Sequence, residues 1–133
     1  MPFGEKNRAP LDMLESNNIE YIINPFNKKL TESELEGLIS DFDVVIAGTE
    51  QITSKVMDAA SNLKLISRVG IGLDSVDLLK AEKLDIAVSY TPDAPAPAVA
   101  ELTVGMMLTL LRSVHVSNSQ MHLGKWHRFF GKR

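Results

Sequence analysis

The chain has 133 residues and no cysteine, which removes disulfides, thiolate metal sites and a thiol nucleophile from consideration and fits a reducing compartment. Neither sign of charge dominates: 14 Lys and Arg stand against 17 Asp and Glu, for a formal net charge of -3. A polyanion-binding surface needs clustered positive charge, so nucleic acid is not expected as a partner. No apolar run reaches the roughly 18 residues of a membrane span, and the opening MPFGEKNRAP lacks the apolar core of an export signal. The expectation is a cytoplasmic protein that does not engage a membrane. Histidine is scarce too: His115, His122 and His127 are the three present. None stands in a motif for acid–base catalysis, and all three read as surface residues.

What is present is an ordinary globular composition, 44% hydrophobic and 23% charged, at a length that buries about two thirds of the unfolded surface. Short apolar runs alternate with amphipathic segments. Leu11 and Leu14 follow Pro10 as a first helix, and Ile19 to Ile23 (IEYII) reads as a strand stopped by Asn24 and Pro25. Thr31 with Glu34 forms a capping-box pattern ahead of Leu35, Leu38 and Ile39. Val44 to Ala47 is a strand, Thr53 caps a helix carrying Val56 and Met57, and Lys64 to Val69 is a further strand. A helix over Asp74 to Lys83, a strand over Ile86 to Val88, a proline-broken loop from Thr91 to Pro97 and a long helix from about Ala98 to Gln120 complete the order. Strands separated by helices predict an α/β fold with a doubly wound parallel sheet. Ligands in such sheets gather at the carboxyl ends of strands. Three apolar runs end in candidate ligand loops there, AGTE, VGIG and YTPD.

The most informative of these is the stretch Arg68 to Asp77, RVGIGLDSVD. Gly70 and Gly72 end an apolar run ahead of an expected helix, and residues without a Cβ let the backbone bend so that its amides face an anion. The same glycines would also serve a plain tight connection. RVGIGLDSVD, then Tyr90 to Arg112 (YTPDAPAPAVAELTVGMMLTLLR), then Gly124 to Arg133 (GKWHRFFGKR), together with Leu30 to Thr53, resemble consecutive signatures of the D-isomer-specific 2-hydroxyacid dehydrogenases, the group that includes phosphoglycerate dehydrogenase.

The resemblance implies a flavodoxin-like substrate-binding domain over residues 1–97 and a long interdomain helix with the start of a linker over 98–133. It implies that the backbone amides of Val69, Gly70 and Ile71 hold the carboxylate of a small 2-hydroxy or 2-oxo acid, and that Ile71 borders the nicotinamide. Arg68 matches a basic residue that can help hold a substrate phosphate, against the plainer reading of a solvated arginine at a strand end. Phosphoglycerate users often carry a second arginine where Ala47 stands, and an asparagine frequent in the substrate loop falls on Pro95, which has no backbone N–H.

In the family the NAD- or NADP-binding Rossmann domain follows the segment seen here, marked by a Gly-x-Gly-x-x-Gly turn. No such turn occurs in this sequence, and the family's catalytic arginine, glutamate and histidine also lie in that domain. No catalytic residue is therefore assigned to this chain, hydride transfer by it alone is not expected, and neither is tight binding of the cofactor. Family members also begin with a short strand ahead of the residues matching Pro2, Phe3 and Gly4, so a first strand is expected to be missing and a sheet edge open. Val99, Leu102, Val104, Met106, Met107, Leu108, Leu110, Leu111 and Val114 surround the long helix with apolar side chains, although Glu101 and Arg112 interrupt it. Such a helix needs cover on more than one side. A homodimer through the 98–120 helix or the open edge is the expected remedy. The alternative is a stand-alone binding or assembly module that kept the carboxylate loop without catalysis.

Overall fold

The computed structural model describes residues 3–131. The chain divides into two compact units, Met1–Tyr90 and Thr91–Arg133. The division falls at Tyr90, ahead of the Pro97 boundary expected from the sequence.

In the first unit, α1 (Ala9–Ser16) follows Arg8, with Pro10 in its first turn, where a missing N–H costs nothing. The second helix, α2 (Glu32–Ile39), starts on the expected capping box. The Thr31 hydroxyl accepts from the Glu34 amide, and the Glu34 carboxylate accepts from the Thr31 amide at 2.9 Å. Strand β1 (Val44–Ala47) has the bounds read from the sequence, and α3 (Ser54–Ala59) is capped by Thr53 as expected. Strand β2 (Leu65–Arg68), α4 (Leu78–Lys83) and β3 (Ala87–Ser89) follow.

The three strands are parallel in the order β1-β2-β3, with Val45 opposite Ile66 and Ile66 opposite Val88. Each step between strands passes through a helix, as a parallel sheet requires. Ile39, Ile52, Val56, Met57 and Ile66 are the largest fully buried side chains of one contiguous core. At roughly 1.5–3 kcal/mol for each such side chain removed from water, this core holds the unit together.

Ile19 to Ile23 does not form a strand. A β-prone sequence gains its hydrogen bonds only from a neighbour, and β1, at the end of the sheet order, is paired with β2 alone among the described residues. Ile19, Ile22 and Ile23 stay exposed, as do Val44 and Ile46 of β1. Among the described residues, the outer side of β1 carries no paired strand.

The second unit holds α5 (Ala96–Leu111) and α6 (Val114–His122) where one helix was expected. Ser113 takes a left-handed conformation, φ 55°, and the two axes meet at 70°. The Arg112 amide still donates to the Leu108 carbonyl, so the helix closes in good order before the chain turns. No side chain of α5 is buried. No single helix is long and apolar enough to cross a membrane, and the bent pair meets that length and composition only when taken together. Near the chain end, a Cβ on Gly131 would lie 2.4 Å from the Leu111 carbonyl oxygen, so this close return of the backbone needs glycine.

Candidate functional site

The loop Val69–Gly72 leaves the carboxyl end of β2 and is fastened at both ends. On entry the Val69 amide donates to the Ala47 carbonyl at 2.9 Å, extending the β1–β2 ladder by one bond. On exit Val76 bridges to Ile52; the Ile52 amide donates to the Ser75 carbonyl at 2.7 Å and the Asp77 amide to the Ile52 carbonyl at 3.0 Å. A turn fixed this way keeps its shape without a ligand.

Gly70 sits at φ +149°, a backbone conformation that side chains rarely adopt. Gly72 has no such need, since a Cβ there would meet Asp74 Oδ2 at an ordinary 3.7 Å. The conformational demand expected of both glycines falls on Gly70 alone.

The donors also differ in place from those expected. The Val69 amide is spent on Ala47. Those of Ile71, Gly72 and Leu73 make no hydrogen bond among the described residues. Helix α4 begins at Leu78, not at Asp74, and its first turn is closed by the Asp77 carboxylate accepting from the Lys80 amide at 3.0 Å. The glycine turn therefore draws nothing from a helix end. The side chains of Val69 and Ile71 are 54% and 59% exposed, apolar surface beside the unpaired amides.

Arg68 departs from the plainer of the two readings given to it by the sequence. It is 7% exposed, so it is no solvated arginine. Its Nε and Nη2 donate to the Gly72 carbonyl at 3.2 and 2.9 Å, and its Nη1 donates to the Ala47 carbonyl at 3.3 Å. The guanidinium thus lies inside the unit and braces the loop. Sequence reasoning missed this brace, and also the Gly72 and Leu73 amides, because nothing in residue type shows where a carbonyl points.

Of the other two candidate loops, the one at Gly48 is closed on itself, its amide donating to the Glu50 carboxylate at 2.9 Å. The one from Tyr90 to Asp93 spans the division between the units. His115, His122 and His127 are all exposed, as expected of surface residues. No cluster of three or more metal-ligating side chains occurs among the described residues.

The catalytic domain of the D-isomer-specific 2-hydroxyacid dehydrogenases matches residues 5–127. The chain belongs to this family. It is 39% identical over 103 residues to the hydroxypyruvate reductase of Thermotoga maritima, covering 77% of this chain and 34% of that protein. It is 39% identical over 101 residues to the D-3-phosphoglycerate dehydrogenase of Methanocaldococcus jannaschii, covering 74% of this chain and 19% of that protein. Among solved structures, the NAD-dependent formate dehydrogenase of Staphylococcus aureus in complex with NAD superposes with a TM-score of 0.77 at 30% identity, over 90% of this chain and 36% of that one. The chain thus spans about a third or less of the length of these dehydrogenases. The α/β architecture with parallel strands is that of the family's fold.

Proposed function

We propose that this chain is the substrate-binding part of an NAD- or NADP-dependent D-2-hydroxyacid dehydrogenase, and that its loop after β2 holds the carboxylate of a small 2-hydroxy or 2-oxo acid. The observation that carries this reading is the run of three successive amides, Ile71, Gly72 and Leu73, without hydrogen-bond partners among the described residues, on a turn fastened at both ends. Unpaired backbone donors in a preformed turn suit a carboxylate, and the ordering cost of binding is already met.

The exposed side chain of Ile71 gives the flat, apolar face of a nicotinamide a surface to rest on. When bound, that cofactor supplies or accepts the hydride at carbon 2 of the acid. This chain's own residues fix the carboxylate end, and Val69 and Ile71 exclude water beside it. The acid–base groups come from the Rossmann domain that family members carry. Cytoplasmic placement accompanies this reading, as does cover for α5 from a second copy of the chain or from that domain.

The assembly-module reading draws on one observation, the wholly exposed apolar surface of α5. Calorimetric titration separates the two. Glyoxylate, pyruvate and hydroxypyruvate are expected to bind with millimolar affinity while acetamide, which lacks the carboxylate, does not. Equal heats from the acids and acetamide would remove the carboxylate site and leave the assembly module.

A further inference from the structure

We propose that Arg68 is a positioning residue of the carboxylate loop and not a ligand for phosphate, so that the pocket takes a 2-hydroxy or 2-oxo acid without a phosphoryl group. This rests on the carboxylate reading of the same loop. A guanidinium has five N–H donors in a rigid plane and no acceptor, and the edge formed by Nε and Nη2 is one that grips phosphate or carboxylate with two parallel bonds. In Arg68 that edge is turned inward, with both nitrogens on the Gly72 carbonyl, while Nη1 holds Ala47. Swinging it out to a phosphate would break all three bonds and strand the Gly72 carbonyl.

The brace also aims a donor. No peptide bond in the described chain is cis, so the N–H of each peptide points opposite to its C=O. With the Gly72 carbonyl drawn in to Arg68, the Leu73 amide faces away from the guanidinium, next to the unpaired amides of Ile71 and Gly72. The Ala47 carbonyl is shared between Arg68 and the Val69 amide, so one side chain ties the entry of the loop to its exit.

Charge acts in the same direction. No carboxylate forms an ion pair with Arg68 among the described residues. A buried cation held only by carbonyls leaves a positive potential under the loop, and an arriving carboxylate completes it.

The test uses the full 133-residue chain, labelled with nitrogen-15. The Arg68 Nε–H should give a slowly exchanging resonance at neutral pH, and exchange as fast as in free arginine would overturn the brace. D-Glycerate and 3-phosphoglycerate, which differ only by the phosphoryl group, should bind within threefold of each other. A tenfold or greater preference for 3-phosphoglycerate, lost in Arg68→Met, would make Arg68 a phosphate ligand and overturn the proposal while the carboxylate reading stands. Arg68→Lys keeps the charge but cannot fork onto Gly72, and should weaken glycerate about tenfold while amide resonances outside the loop stay in place. Unchanged glycerate affinity in this variant would overturn the positioning role. If no acid perturbs residues 70–73, the carboxylate reading fails and the positioning role with it, whatever the Nε–H resonance shows of the brace.

Discussion

The two units handle aliphatic side chains in opposite ways. In the first, Ile52, Val56 and Ile66 are 0% exposed, closed in by helices and a parallel sheet. In the second, the aliphatic and methionine side chains of α5 are 45% to 66% exposed along a helix with no buried residue. The first unit carries its own core. The second presents a surface of the kind that stable monomers seldom leave bare, and on the proposed reading a second copy or a further domain covers it. The apolar content of a segment therefore does not say whether its side chains are enclosed within their own unit.

Truncating one aliphatic side chain in each unit should have unequal effects. Ile66→Ala should destabilise the first unit by about 2–5 kcal/mol in denaturant unfolding, whereas Leu102→Ala should change the unfolding of the isolated chain by less than about 0.5 kcal/mol. Equal losses would mean that α5 is packed as firmly as the core. The interface half of the comparison is read by light scattering. The chain should self-associate with rising concentration, and Leu102→Glu with Leu110→Glu should return it to the monomer mass. A concentration-independent monomer before substitution would contradict the interface.

A smaller effect tests how the first unit is assembled locally. Thr31→Ala removes the capping hydroxyl of α2 and should cost about 1 kcal/mol, seen as a lower denaturation midpoint with an unchanged slope. The smallest concerns pH. The Lys28 ammonium, followed by the Thr31 amide and hydroxyl, holds the Glu34 carboxyl at about 2, below its ordinary 4.5. The group is depressed on folding, so its contribution is complete above pH 4.5 and is lost as pH falls from there through about 2. Glu34→Gln should flatten the stability profile in that window and leave it unchanged near neutrality relative to its own plateau. A steep profile retained in the variant would assign the acid sensitivity to other carboxylates, such as Asp43 beside Lys64, whose carboxyl is also held low.

Much of the first unit was legible because its signals are local. The Thr31–Glu34 box, the Thr53 cap and the VVIA strand depend on residues within a few positions of one another, and all formed as read. Features that depend on distant partners were not legible. IEYII has strand composition but pairs with no strand among the described residues. The 98–120 helix has continuous apolar character, yet it turns at Ser113, where no glycine or proline announces a break. The candidate site followed the same division. Its location and the need for Gly70 came from sequence, but which amides remain free was decided by the Ala47 carbonyl, and the direction of Arg68 by the Gly72 carbonyl.

A nitrogen-15 amide titration of the whole chain with glyoxylate tests the carboxylate loop most directly. Saturable shifts are expected, centred on Ile71, Gly72 and Leu73, with α5 unmoved. Silence of those three amides at high millimolar glyoxylate, or shifts centred on α5, would contradict the carboxylate reading.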